Sequence, residues 1–160
     1  MKYPLREYDE RGNQTHYKDS DGFEYWKEFD EKGNETHYKN SDGYERWTEY
    51  DDKGNKTHYK DSEGFEEWIE YDEKGNETHN KDSNSSESWT EYDERGNETH
   101  YKNSNGFERW REYDKNGNNK CSLIIFSNGE IKTRNEKQFS DKLRKKYNLL
   151  LLRGRKWNIQ

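Results

Sequence analysis

The sequence predicts an all-β fold, an antiparallel meander of two-strand, 21-residue repeats in a long twisted sheet, followed by a C-terminal capping helix. Three observations predict it. Glycine recurs at Gly12, Gly33, Gly54, Gly75, Gly96 and Gly117, tryptophan at Trp26, Trp47, Trp68, Trp89 and Trp110, and histidine at His16, His37, His58, His79 and His100, all at a spacing of 21. Each unit carries two glycine turn signals. Between the turns lie short segments rich in Tyr, Trp, Phe and Thr, which favour strands. A fixed period of this length marks a repeat architecture.

Each element follows from the turn chemistry. Asp30-Glu31-Lys32-Gly33-Asn34 suits a type I turn closed by a left-handed glycine bulge. Ser41-Asp42-Gly43 predicts a two-residue type I′ hairpin, because Asp-Gly accepts the positive φ angles it needs. Pairing Asp30 with Asn34 and Ser41 with Tyr44 sets Tyr38 opposite both Trp26 and Trp47. Strand alternation then puts Glu24, Trp26, Glu28, Thr36 and Tyr38 on one face. Phe23, Lys27, Phe29, Glu35, His37 and Lys39 take the other. The expectation is a ladder alternating Trp and Tyr. About 13 strands at about 4.8 Å each make a sheet of about 60 Å, long enough to twist. One unit departs from the pattern at residues 80–86, where Asn80, Ser85 and Ser86 replace Tyr, Gly and the aromatic. Drift in one repeat is the preferred reading there over a hinge or binding notch.

Composition agrees with an aromatic sheet. Charged residues make up 40% of the chain, aromatics 16%, and there is no Ala or Val. Before residue 121 the only aliphatic or Met positions are Met1, Leu5 and Ile69, which excludes a conventional aliphatic core there. No run approaches the ~20 apolar residues of a membrane helix. Residues 1–120 carry 19 Lys/Arg against 32 Asp/Glu, and residues 121–160 carry 10 against 3. An acidic array, residues 1–118, is expected to join a basic cap, residues 119–160. The N-terminus lacks an apolar signal region, and Cys121 is the single cysteine. Both point to a cytoplasmic setting.

After Gly117 the pattern changes. Cys121-Ser122-Leu123-Ile124-Ile125-Phe126 reads as an apolar strand, Ser127-Asn128-Gly129 as a turn, and Glu130 to Arg134 as a final strand. Thr133 and Glu136 fit a capping box for a helix over 136–152. Phe139, Leu143, Tyr147 and Leu150/Leu151 share one face. Lys142, Lys145 and Lys146, with Arg153, Arg155 and Lys156 beyond, form a basic tail. It is placed to meet an acidic partner, the chain's own array or a second copy, and direct nucleic-acid binding is disfavoured.

Tyr50-Asp51-Asp52-Lys53-Gly54-Asn55-Lys56-Thr57, repeated six times between residues 7 and 118, resembles the YD repeat of the RHS family. The resemblance implies β-strand repeats and a non-catalytic scaffold; in that family such repeats wind into a shell, often around a toxin. The alternation of aromatics with short glycine turns is similar, less closely, to cell-wall-binding repeats.

No constellation asks for catalysis, a cofactor or a metal. The histidines fall on alternate strands, roughly 9.6 Å apart, too far to share a zinc ion bound at about 2.1 Å. A structural pairing with Lys, Thr or Glu is expected instead. Asp19-Ser20-Asp21-Gly22 and Asp114-Lys115-Asn116-Gly117-Asn118 lack the sixth-position glycine and the terminal Glu of a calcium loop and read as turns. Cys121, in an apolar strand, is expected to be buried.

The function expected is binding. Glu24, Trp26, Glu28, Glu45, Trp47, Glu49, Glu66, Trp68, Glu70, Glu87, Trp89 and Glu91 form a recurring Glu-x-Trp-x-Glu strand that would contact a basic protein surface. An inhibitor of a nucleic-acid-binding defence complex, anti-CRISPR-like, is one such protein. About −2 per 10 Å of sheet is several-fold below the one charge per about 1.7 Å of B-DNA, so strict mimicry is disfavoured. A carbohydrate- or wall-binding module and a self-associating, dimeric repeat protein are the alternatives.

Overall fold

A computed structural model describes residues 4–152. Thirteen strands follow one another in chain order in one open antiparallel sheet. They are β1 (Leu5–Tyr8), β2 (Gln14–Lys18), β3 (Glu24–Phe29), β4 (Glu35–Asn40), β5 (Glu45–Tyr50), β6 (Lys56–Asp61) and β7 (Glu66–Tyr71). Then come β8 (Glu77–Asp82), β9 (Glu87–Tyr92), β10 (Glu98–Asn103), β11 (Glu108–Tyr113), β12 (Asn119–Ile125) and β13 (Ile131–Arg134). A 3₁₀ turn (Glu136–Gln138) and α1 (Asp141–Leu152) complete the chain described. Residues 4–70 with 81–84 form one compact unit; residues 71–80 with those from 85 onward form a second.

The first turn has the predicted geometry. Asp30 N–H donates to Asn34 O at 2.9 Å, Gly33 N–H to Asp30 O at 3.1 Å, and Gly33 sits at φ +87°. The Asp30 carboxylate caps the loop, accepting the N–H groups of Lys32 (2.8 Å) and Asn34 (2.9 Å) and the Asn34 amide (2.8 Å).

The second turn corrects the type I′ expectation. It begins one residue earlier, with Asn40 N–H donating to Tyr44 O at 3.0 Å and Gly43 N–H to Asn40 O at 3.2 Å. Asn40 Oδ1 accepts the N–H groups of Asp42 and Tyr44, both at 3.0 Å. A type I′ turn needs positive φ at both central residues. Among the described residues only Ser85 and Asn135 are non-glycine residues at positive φ, so Asp42 is not. The Asn side chain mimics a turn of backbone and makes both loops of the unit alike.

Together with a bulge after the first turn, that change resets the register. The first turn is followed by a bulge in which Glu28 pairs with His37 and Phe29 with Glu35, leaving Thr36 as the extra residue. Trp26 therefore lies opposite Lys39, and Trp47 opposite His37 rather than Tyr38. Paired residue numbers total 65 for Lys27 and Tyr38, 84 for His37 and Trp47, and 107 for Thr48 and Tyr59. A 21-residue repeat fixes only the step of 42 across two turns, and 19 followed by 23 satisfies it as well as two equal steps. The expected Trp–Tyr ladder is thus replaced. His37 and Lys39 share the face of Glu24, Trp26 and Glu28, while Tyr38 joins Tyr25, Lys27, Phe29 and Glu35.

The Tyr face stabilises the sheet with few aliphatics. Glu35 pairs with Lys27 at 2.8 Å and Arg46 at 2.6 Å, and the Arg46 guanidinium lies 4.9 Å from the centre of the Tyr38 ring. Tyr50 donates its hydroxyl to Glu35 O at 3.1 Å. Ile69 is buried on this face. In the other unit Arg109 grips Glu98 with Nε at 2.9 Å and Nη2 at 2.8 Å.

The conventional core lies at the C-terminal end. Cys121, Leu123, Ile125, Ile131, Phe139 and Leu143 are buried together, with Trp110 packed against them. Cys121 meets the burial expected of it. The helix begins later than expected, because Thr133 is held in β13 opposite Leu123 and the capping box does not form. Ser140 caps α1 instead, its O accepting Arg144 N–H at 2.8 Å and its Oγ accepting Leu143 N–H at 3.3 Å. The side chains of Tyr147, Leu150 and Leu151, and residues Arg153, Arg155 and Lys156, lie outside those described. In the divergent unit, Ser85 takes φ +69° where the other repeats place glycine, and Asp82 still caps the loop through Asn84 N–H at 2.9 Å.

Candidate functional site

Register builds one recurring cluster on the Trp face. Because His37 lies directly across from Trp47, their rings stack, with centroids 5.4 Å apart and planes within 11°. The same stack joins His16 to Trp26 (5.2 Å), His58 to Trp68 (5.4 Å), His79 to Trp89 (5.3 Å) and His100 to Trp110 (4.8 Å). Each partner comes from an adjacent strand, so the rings stand on edge and stack along the sheet.

Glutamates flank each histidine. Nε2 of His37 lies 2.8 Å from Glu45, and its Nδ1 lies 3.4 Å from Glu28. His58 sits likewise between Glu66 (2.9 Å) and Glu49 (3.4 Å), His16 between Glu24 (2.8 Å) and Glu7 (3.2 Å), and His100 between Glu108 (3.0 Å) and Glu91 (3.2 Å). His79 pairs with Glu87 at 2.9 Å. Both glutamates of Glu-x-Trp-x-Glu therefore have a structural cause, which strand pairing alone does not reveal. The Glu24 carboxyl is held below the usual range by hydrogen bonds from Lys18 and His16.

The two carboxylates differ in exposure. Glu45 and Glu66 are 29% exposed, whereas Glu28 and Glu49 are 73% exposed. Trp26, Trp47 and Trp68 are 40–41% exposed. Glu70 and Glu91 are exposed like Glu28, while Glu87 and Trp89 are half-buried. Lys102 lies over the Trp89 ring at 4.3 Å. Since Lys39 shares the Trp face, a unit presents two Glu against one Lys there, a net −1 with His neutral. The face is less acidic than the predicted register implied, because the observed register brings Lys39 onto it.

At the final unit this cluster is occupied by the chain itself. Ser140 donates its N–H to Glu112 Oε2 at 3.1 Å and its hydroxyl to Glu112 Oε1. Lys146 Nζ lies 3.6 Å from Glu108 and 4.5 Å from the Trp110 ring centre. The 21-residue phase continues unseen through this strand: Cys121 stands where earlier units have His, and Leu123 where they have Lys. That substitution removes the histidine from Glu112 and gives α1 an apolar floor. The Cys121 thiol donates to Glu112 at 3.2 Å, and burial with this carboxylate pushes its pKa up to about 11. Burial raises the Glu112 carboxyl, but the Ser140 and Cys121 bonds outweigh it and hold it low. Lys142 and Lys145, read from sequence as part of a basic tail, line an open groove of about 880 Å³ beside Glu91, Arg95 and Asp114.

No family model matches the chain, and none of the curated proteins does. Solved structures do. The crystal structure of TcdB2-TccC3-Cdc42 matches with a TM-score of 0.59 at 17% identity, over 75% of this chain and 7% of that one. The Photorhabdus luminescens Tc holotoxin pore carrying TccC3-D651A matches with a TM-score of 0.57 at 16% identity, over the same shares. These likenesses support an RHS-like repeat fold. The chain spans about a fourteenth of the length of those structures' matching chains.

Chemically, the cluster offers on each unit an indole edge, a half-buried carboxylate and an outer carboxylate. Among the described residues no group of three His, Cys, Asp or Glu side chains is arranged to hold a metal ion, and no described helix is long and apolar enough to cross a membrane.

Proposed function

We propose that the chain is a non-catalytic binding protein whose Trp–His–Glu face docks a basic surface of a partner protein. The observation that carries this reading is the row of Trp26, Trp47 and Trp68, each about two-fifths exposed and bordered by the outer carboxylates of Glu28 and Glu49. Aromatic anchors ringed by charge are what protein hot spots use. A net −1 for every two strands, about 10 Å, is far below the charge density of DNA. An inhibitor of a nucleic-acid-binding defence complex would therefore work by covering a basic surface, not by reproducing phosphate spacing. Histidine takes one face of Trp26, Trp47 and Trp68 and leaves each at most one face for a sugar ring, a narrower platform than a free indole, which favours the protein reading over the carbohydrate one.

The test is capture of protein from bacterial lysate at 0.1 M and 1 M salt, where the Debye length falls from about 10 Å to 3 Å. Glu28→Gln with Glu49→Gln removes two outer carboxylates and leaves the Nε2-bound glutamates in place. The expected result is a salt-sensitive basic partner lost with the double variant. Retention of cell-wall polysaccharide, or capture indifferent to both salt and the double variant, would contradict the reading.

A further inference from the structure

The chain contains one occupied copy of its own repeated cluster, and it shows what the open copies fit. At Glu108–Trp110–Glu112 the occupant is the N-terminal part of α1. Its cap residue Ser140 bonds the outer carboxylate of Glu112, and Lys146, six residues on, lies over the indole and beside Glu108. The histidine cluster does not stand in the way. Glu108 Oε1 holds His100 at 3.0 Å while Lys146 lies 3.6 Å away, and Trp110 remains stacked on His100 at 4.8 Å.

The open copies keep these parts. Glu45 binds His37, Trp47 stacks on His37, and Glu49 is the outer carboxylate, on the same strand positions as Glu108, Trp110 and Glu112. Glu49 is only loosely engaged, 3.4 Å from His58 and 73% exposed, so it is free to accept N–H and O–H donors. Glu24–Trp26–Glu28 repeats the arrangement. Two differences set the chemistry of the occupant: His58 stands beside Glu49 where Cys121 stands beside Glu112, and the residue across from the indole changes. Lys60 stands opposite Trp47 where Leu123 stands opposite Trp110. The open copies therefore lack the apolar floor and select for the polar contacts.

We infer that the open Glu-x-Trp-x-Glu units are docking sites for a lysine-bearing helix of a partner protein, gripped as α1 is gripped at the last unit: a Ser or Thr N-cap on the outer carboxylate and a lysine six residues later on the indole and inner glutamate. This rests on the reading of the face as a protein-docking surface and adds the class of segment it takes. The helix enters with its positive N-terminal end at the exposed carboxylate, the orientation the helix dipole favours. The lysine gains from the indole and the carboxylate together.

The test titrates a peptide of residues 136–148, acetylated and amidated, into the full-length protein while the indole N–H signals are followed by NMR. The signals of Trp26, Trp47 and Trp68 should shift, and a peptide carrying Lys146→Gln should bind about tenfold more weakly. Protein carrying Glu28→Gln and Glu49→Gln, checked for an unchanged far-UV spectrum, should lose the shifts of Trp26 and Trp47. No shifts, equal binding of both peptides, or a shift at Trp110 alone through exchange with α1 would each overturn the inference. If the peptide fails while lysate capture remains sensitive to the same double variant, the helix is wrong and the docking face stands. If both fail, both readings fall.

Discussion

Single residues divide into those that pack and those that present. Leu123 is fully buried under α1, so Leu123→Ala should cost about 3 kcal/mol or more. Trp47 is 41% exposed and leans on His37 by one face, so Trp47→Ala should cost less, about 1–2 kcal/mol. Denaturant melts compare them directly, and a larger loss at Trp47 would mean the face is packed rather than open. The turn aspartates add a pH dependence. Asp9, Asp30, Asp51 and Asp93 are held below their usual carboxyl range, foremost by the amide of Asn13, Asn34, Asn55 and Asn97. A depressed folded pKa stabilises above the unfolded value of about 3.9 and is lost as pH falls through the folded value. Thermal melts should therefore fall off below about pH 4, and Asn34→Ala with Asn55→Ala should shallow that fall. An acid limb unchanged in the double variant would contradict the capping role.

At the scale of elements, existence and order were legible, while facing was not. Glycine spacing and aromatic segments suffice to place strands, and thirteen are found. Facing depends on single residues in the turns. Asn40 caps the second loop and draws its start one residue upstream, so the β4–β5 pairing shifts and His replaces Tyr beside Trp. The signal was present: Asp30-x-x-Gly33 and Asn40-x-x-Gly43 share one pattern, which marks equivalent Asx-capped loops. The His–Trp stack was hidden because it exists only in the correct register. The apolar strand at Cys121 was legible, but its phase with the histidines was obscured by the change of residue type. Ser85 tests turn chemistry. Left-handed geometry costs a non-glycine residue roughly 1–2 kcal/mol, so Ser85→Gly should raise Tm by about 2–8 °C. An unchanged or lower Tm would show that the divergent turn gains something from its serine. Ser140→Ala, removing the cap and the hydroxyl bond to Glu112, should cost about 1 kcal/mol. A chemical melt that does not move would mean α1 is held by Phe139 and Leu143 alone.

For the molecule as a whole, the 21-residue period turns one local solution into a surface. In the repeats each turn is capped by its own Asp or Asn, each histidine meets a carboxylate, and each indole from Trp26 to Trp110 leans on a histidine, so the sheet is ordered with few aliphatic residues. The carboxylates of Glu28 and Glu49 and the indoles of Trp26, Trp47 and Trp68 remain exposed. The claim that this face, rather than acidity in general, carries binding is tested most directly by a charge-matched comparison. The partner captured from lysate is titrated against protein carrying Glu28→Gln and Glu49→Gln on the face, and against protein carrying Glu31→Gln and Glu63→Gln, two exposed glutamates in the turns. The account predicts that the face pair weakens binding by tenfold or more, about 1.4 kcal/mol, and flattens its salt dependence, while the turn pair leaves both near wild type. Equal losses for the two pairs would contradict it and reduce the interaction to net charge.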